Sequence, residues 1–208
     1  MVEQQLRARD IRDERVLDAM REVPRHLFVP MDCIESAYTD QPLSIGHGQT
    51  ISQPYMVAAM TEALALTGTE RVLEVGAGSG YQAAILGRLA REVIALELEP
   101  ALAESAAARL ARLGYANVRV MAGDASGGYA PMAPYDAIVV SAAARSVPQP
   151  LVEQLAEAGR LLIPVGPEDS QELLRLRRVH GGITREVLHY CRFVPLLGRH
   201  GQPEGGPQ

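Results

Sequence analysis

The stretch Glu74-Val75-Gly76-Ala77-Gly78-Ser79-Gly80-Tyr81 limits what this chain can fold into more than any other. It follows a short apolar run, Arg71–Val75, that reads as a strand, and it opens an Ala-rich stretch, Tyr81–Ala90, that reads as a helix. Glycines at such a junction let the backbone turn sharply and approach a ligand closely at the carboxyl end of the strand, where open α/β sheets bind small molecules. The alternation then continues with a strand at Val93–Glu97, a helix at Ala101–Leu113, and strands at Val118–Met121 and Asp136–Val140. A shorter helix at Leu151–Ala156 and a strand at Arg160–Val165 complete it. Short apolar runs alternating with amphipathic helices mean βαβ units, so the expected class is α/β, a doubly wound Rossmann-like fold with a mostly parallel central sheet. Toward the end, Glu172–Val179 and Arg185–Val194 are strand-like runs separated by His180-Gly181-Gly182, a hairpin signature.

The flanks read differently. The first forty residues are helical in character, with Asp13 positioned to cap a turn whose Val16, Leu17 and Met20 form one apolar stripe. Pro24 stops that helix, and His26–Pro30 reads as an irregular arm. Gly198–Gln208 is rich in Gly and Pro without an apolar anchor and reads as a frayed tail. The expected organisation is one domain over residues 1–198, with an N-terminal helical and cleft segment at 1–66, a cofactor-binding core at 67–166 and C-terminal strands at 167–198, followed by a flexible tail at 199–208.

Composition removes several chemistries. All 20 basic side chains are arginine, so neither a lysine Schiff base nor a P-loop lysine is available. A net charge of −5 is a poor footprint for nucleic acid or an anionic membrane. No apolar run approaches the ~20 residues of a membrane span, and the charged Met1–Glu22 segment has no signal-peptide core. Cys33 and Cys191 form no CxxC pair, which suggests free thiols in a reducing, cytoplasmic setting. The five histidines never cluster at ligand spacing, so no metal site is expected.

The glycine loop selects among ligands. A dinucleotide fingerprint would continue Gly-x-Gly-x-x-Gly, but the bulky Tyr81 stands three residues after Gly78. The pattern instead suits a ligand without phosphate, such as S-adenosylmethionine. Glu97 closes the next strand 21 residues past Gly76, where a carboxylate takes ribose hydroxyls in such folds. Asp124, in Gly123-Asp124-Ala125 after the third strand, is placed to meet an adenine amino group. The expected cofactor-binding set is Glu74, Gly76, Ala77, Gly78, Gly80, Glu97, Leu98, Gly123, Asp124 and Ala125. The fourth strand ends in Val140-Ser141-Ala142-Ala143 with no Asn-Pro-Pro-Tyr, unlike amino-methylating DNA enzymes.

Three segments resemble the protein-L-isoaspartate (D-aspartate) O-methyltransferases. They are Gly46-His47-Gly48-Gln49-Thr50-Ile51-Ser52-Gln53-Pro54, the Val72–Ala84 run around the glycine loop, and Gly123-Asp124-Ala125-Ser126-Gly127-Gly128-Tyr129 running on to Ile138. The opening Val23-Pro24-Arg25-His26 and Phe28-Val29-Pro30, and the closing Arg192-Phe193-Val194-Pro195-Leu196, are also similar to that family. Departures are Ala125 and Asp10, which stand where members usually or often have Gly, Leu197 where some have a polar residue, and Ser141-Ala142-Ala143-Ala144-Arg145 in place of a Thr-Ala-Ala run. The resemblance implies methyl transfer from S-adenosylmethionine to the α-carboxylate of isoaspartyl residues in damaged proteins and peptides, with D-aspartyl residues as further substrates. It implies Ser52 as the catalytic residue, with Gln49, Thr50, Ile51, Gln53 and His47 lining the substrate cleft. A local alternative for Ser52 is a helix N-cap ahead of Pro54. The substrate peptide is expected to meet backbone of the His26–Pro30 arm and the C-terminal strands, and the working unit is expected to be a monomer. Two other readings stay open: a methyltransferase of the same build acting on another peptide carboxylate, and a non-catalytic adenosyl-binding protein.

Overall fold

The computed structural model describes residues 1–202. Its helices and strands run in the order α1 (Glu14–Glu22), β1 (Leu43–Gly46), β2 (Gln49–Ile51), α2 (Pro54–Ala63), β3 (Arg71–Val75), α3 (Tyr81–Leu89) and β4 (Glu92–Glu97). They continue through α4 (Pro100–Arg112), β5 (Val118–Ala122), β6 (Tyr135–Val140), α5 (Gln149–Glu153), β7 (Leu155–Val165), β8 (Gln171–Val179) and β9 (Gly182–Cys191). Strands β3 to β9 form one sheet in the order β5-β4-β3-β6-β7-β8-β9, while β1 and β2 pair with each other as a separate hairpin. The ladders from β5 to β7 are parallel and the last two are antiparallel, as the alternation and the hairpin signature predict. His180 and Gly181 both hold positive φ, 51° and 75°, as a tight turn between right-twisted strands requires.

The strand order reverses between β3 and β6. From β3 the chain steps outward through β4 to β5, then returns to β3's other side to build β6 and β7. That reversal leaves a crevice beyond the carboxyl ends of β3 and β6, with the glycine loop on one lip. Val72, Leu73, Val93, Ile94, Ala137 and Ile138 are completely buried, consistent with near-continuous apolar strands covered on both faces. One apolar cluster joins Leu6, Leu17, Met20 and Phe28 of the N-terminal segment to Tyr81, Ile85 and Leu86 of α3.

Several expectations need correction. Only α1 of the first forty residues is α-helix; Asp13 caps it through its carboxylate and the Arg15 N–H at 2.9 Å, but the flanking turns are π and 3-10. Asp10 does adopt a left-handed φ of 79° at the end of the 3-10 turn Arg7–Arg9. The helix expected at Leu151–Ala156 lies at Gln149–Glu153, because Leu155 and Ala156 already belong to the 11-residue β7. The second hairpin strand runs Gly182–Cys191 and not Arg185–Val194. The tail beyond Gly198 is not frayed through Gln202: Asp124 accepts from the Arg199 N–H at 2.8 Å, Ser126 Oγ from the His200 N–H at 2.9 Å, and the Leu196 carbonyl from the Gln202 N–H at 2.7 Å. The remaining residues of the expected tail, 203–208, lie outside the described residues. Among the described residues no helix is long and apolar enough to cross a membrane.

Candidate active site

Two cavities meet at the crevice. The inner one, about 890 Å³ including its mouth, lies against the glycine loop. The outer one, about 1670 Å³, spreads from the β2–α2 turn to the end of β9.

The inner cavity is shaped by glycine. Gly76 and Gly78 hold φ of 88° and 52°, and the Gly76 and Ala77 N–H groups donate to the Leu96 carbonyl at 2.9 and 3.0 Å, which ties the loop to β4. Glu97 locks the same turn from the side: its two oxygens accept from the Gly78 N–H at 2.7 Å and the Glu99 N–H at 3.0 Å. Each oxygen keeps lone-pair capacity, since an ionised carboxylate offers about four acceptor sites. Among the described residues Glu97 is also the only charged side chain lining this cavity, with no Arg or His beside it. A phosphate ligand would find no cationic partner here. A cation carrying a vicinal diol and an apolar ring system fits the donor set: Glu97 for the hydroxyls, bare loop backbone, and apolar Val57, Met60, Leu96 and Leu196 on the walls. S-adenosylmethionine has those features.

Of the expected cofactor residues, Gly76, Ala77, Gly78, Glu97, Leu98, Gly123 and Ala125 line the inner cavity. Glu74, Gly80 and Asp124 do not, for three different reasons. Glu74 is fully buried inside β3 and neither of its oxygens has a hydrogen-bond partner; burial, reinforced by the charge of Glu97, holds its pKa well above the usual carboxylate range. Gly80 is a packing glycine at φ 86°, where a Cβ would come within 3.2 Å of Ala106 and Leu110 on α4. Asp124 stands outside this lining and accepts from the Ser126 and Arg199 N–H groups, 2.9 and 2.8 Å away, one on each carboxylate oxygen. Burial raises its pKa and these bonds outweigh that, so its net shift is downward. The tail segment that bonds Asp124 reads as frayed in the sequence, so the Arg199 contact has no local signal. Leu197, one of the departures, lines the cavity with Leu196.

The expected cleft residues divide between the cavities. Gln49 and Ile51 line the inner one, Gln53 the outer, and Thr50 and Ser52 line both. Ser52 is not the helix cap: Gln53 occupies the N-cap position of α2 and makes no side-chain cap bond. His47 lines neither cavity; it sits at φ 53° in the β1–β2 turn with Nδ1 3.6 Å from the Glu99 carboxylate. The His26–Pro30 arm is also absent from both, because Arg25 and Phe28 turn into the core beneath Tyr81. The outer cavity draws instead on Arg9, Tyr55, Glu168, His189 and the run Tyr190–Pro195. Arg9 reaches it by stacking on the Tyr55 ring, 3.7 Å from the centroid, a contact from the first ten residues that no local pattern signals. Cys191 is a free thiol on this wall, and burial pushes its pKa up to about 11, which makes it a poor nucleophile.

Comparison with known proteins identifies the family. The family model for protein-L-isoaspartate(D-aspartate) O-methyltransferase matches residues 1–201. A Methanoculleus marisnigri protein-L-isoaspartate O-methyltransferase is 54% identical over 201 residues, covering 97% of this chain and 91% of its own length. A Roseiflexus protein of the same name is 58% identical over 192 residues, covering 92% of this chain and 88% of its own. A Plasmodium falciparum structure of that kind, in complex with S-adenosyl-L-homocysteine, superposes with a TM-score of 0.82 at 28% identity, covering 94% of this chain and 96% of that one. A match over residues 1–201 shows that this chain belongs to the protein-L-isoaspartate(D-aspartate) O-methyltransferase family.

Proposed function

We propose that the chain transfers a methyl group from S-adenosylmethionine to the free α-carboxylate of L-isoaspartyl residues in damaged proteins and peptides, the first step in their repair. The observation that carries this reading is the meeting of two unlike cavities at Thr50 and Ser52: among the described residues, an inner one whose only charged side chain is Glu97, and an outer one where Arg9 and Arg192 stand with His189 and a single acid, Glu168. A cationic methyl donor suits the first and an anionic peptide group the second.

The reaction asks little acid–base chemistry of the protein. A peptide α-carboxyl has a pKa near ~3.5 and is already ionised at neutral pH, so no general base is needed. Bound S-adenosylmethionine supplies the electrophilic methyl carbon and a sulfur leaving group that departs neutral. The residues have to hold the carboxylate oxygen in line with that carbon and keep water out, and such orientation is worth roughly 7–11 kcal/mol of barrier. In this reading Ser52 donates its hydroxyl to the carboxylate and sets the line of attack. Thr50 and Gln53 border the peptide, and Gln49 and Ile51 separate it from the adenosyl group. Glu97 takes the ribose hydroxyls. Glu74 acts on the cofactor through the loop it underlies, and Asp124, with one N–H on each oxygen, anchors the tail and keeps acceptor capacity for the adenine amino group.

We take residues 1–198 as one working domain and the active unit as a monomer. D-aspartyl residues are a further substrate in the same reading. Free thiols and a net charge of −5 fit an enzyme acting on peptides in the cytoplasm, away from nucleic acid and membranes. The test mixes the protein with methyl-labelled S-adenosylmethionine and paired peptides containing isoaspartate or aspartate. Base-labile label in the isoaspartyl peptide alone is the expected result; label in neither would refute it.

A further inference from the structure

Resting on the methyl-transfer reading above, we propose that Ser141 is a second substrate-binding hydroxyl, which grips the isoaspartyl carboxylate from the side opposite Ser52. Ser141 directly follows β6, at the reversal of strand order, while Gly76 directly follows β3 beside it. Its N–H donates to the Val75 carbonyl at 2.9 Å, which fixes its backbone against the end of β3. Two residues on, Ala143 exchanges hydrogen bonds with the segment that roofs both cavities: its N–H donates to Val194 and its carbonyl accepts from Leu196, each at 2.8 Å. The serine is therefore held from below and from above.

Its side chain lies over the glycine loop. A Cβ built on Gly76 would stand 3.8 Å from the Ser141 Cβ, and Gly76 has no side chain to intervene. Five residues line both cavities: Thr50, Ser52, Ser141, Val194 and Pro195. Val194 and Pro195 offer no side-chain donor. Thr50 and Ser52 come from the β2–α2 side, so Ser141 is the donor contributed from the sheet. Among the described residues neither the Ser52 nor the Ser141 hydroxyl has a protein hydrogen-bond partner, which leaves both free for a ligand at the junction.

The chemistry separates their roles. During transfer one carboxylate oxygen forms the bond to the methyl carbon while the carbon–sulfur bond breaks, with its electron pair going to sulfur; no proton moves. A single donor leaves the carboxylate free to rotate about one hydrogen bond, whereas two from opposite sides fix its plane. Ser52 governs the attacking oxygen. Ser141 holds the other, a contact made alike before and during transfer, so its loss appears in KM more than in kcat.

The test compares wild type, S141A and S141T with an isoaspartyl peptide, together with calorimetric binding of S-adenosylhomocysteine to each. S141A is expected to raise the peptide KM about tenfold with kcat within a few-fold and cofactor Kd unchanged. S141T, which keeps the hydroxyl, should recover most of the KM. Unchanged KM in S141A, a weakened cofactor Kd with KM constant, or S141T behaving like S141A would each overturn the role. A wild type that methylates no isoaspartyl peptide would overturn the underlying reading, and the role with it. The two failures are distinguishable because the first leaves wild-type activity in place.

Discussion

Strand β3 has a buried carboxylate at each end, and the two are treated in opposite ways. Glu70, just before the strand, accepts from the backbone N–H groups of Thr67, Gly68 and Thr69 at 2.9–3.1 Å, from the Thr67 hydroxyl at 2.9 Å, and from Arg160 at 3.4 Å. Burial raises its pKa and those donors outweigh it, so the net shift is downward. Glu74, four residues on, has no hydrogen-bond partner among the described residues and its pKa moves up. The amino end of the sheet is saturated with internal bonds, and the carboxyl end keeps polar capacity in reserve: Glu74 bare, the Ser52 and Ser141 hydroxyls free, Glu97 half used. Saturation belongs to the scaffold and reserve capacity to the site, and substitutions at the two ends should fail differently.

The largest effect is expected at Ser52. Ser52→Ala removes one hydroxyl from the junction without touching the core, so kcat should fall about 100-fold, in line with a lost positioning contact worth up to a few kcal/mol. Melting temperature and S-adenosylhomocysteine affinity should stay at wild-type values, and steady-state kinetics with an isoaspartyl peptide check the fall in kcat. Full turnover in this variant would dissolve the contrast at its functional end. Glu97→Ala should produce the complementary defect, weakening S-adenosylhomocysteine binding roughly 30-fold through the loss of charge-assisted hydrogen bonds to the ribose and of its two loop contacts. Titration calorimetry showing wild-type affinity would take the ribose away from Glu97.

How much of this contrast the sequence could reveal depends on whether a feature is local. The β3–α3 glycine turn, the parallel core and Glu97 are local patterns or fixed intervals, and each is where periodicity puts it. Ser52 came from the resemblance, since its own neighbourhood suggested only a helix start. Asp124 sits where its position after a strand puts it, but its bond from Arg199, 75 residues away in sequence, has no local signal. Arg9 on Tyr55 and the burial of Arg25 and Phe28 are equally non-local, and the exposed-looking charges of the N-terminus conceal them. Ser141 carried a weak signal, a hydroxyl at a strand's carboxyl end, which acquires meaning only once β6 is known to lie beside β3.

At the saturated end, Glu70→Gln should cost roughly 1–2 kcal/mol of stability, because an amide nitrogen would face N–H donors and the charge-assisted component would vanish. The sign of its pH dependence follows from a lowered folded pKa: its contribution is present above the unfolded value near ~4.3 and is lost as pH falls through the folded one. Chemical denaturation of wild type and variant should therefore differ at pH 7 and converge in acid, with kcat per folded molecule unchanged.

The smallest effect, and the sharpest test of the comparison, lies at Glu74. Its folded pKa is above its unfolded one, so the folded state binds the extra proton between those two values, and wild-type stability must fall as pH rises from ~4.3 toward the raised value. Glu74→Gln carries no titrating proton and nearly the same volume, so it removes that slope. Denaturation midpoints measured from pH 5 to 8 should decline less steeply in the variant, leaving it level with or slightly above wild type at pH 8. Glu70, just before the strand, predicts the reverse trend from the same residue type, because donors surround it and no second carboxylate raises its pKa. Parallel slopes for wild type and Glu74→Gln would mean that the buried carboxyl finds partners after all, and that the carboxyl end of β3 is as saturated as the amino end.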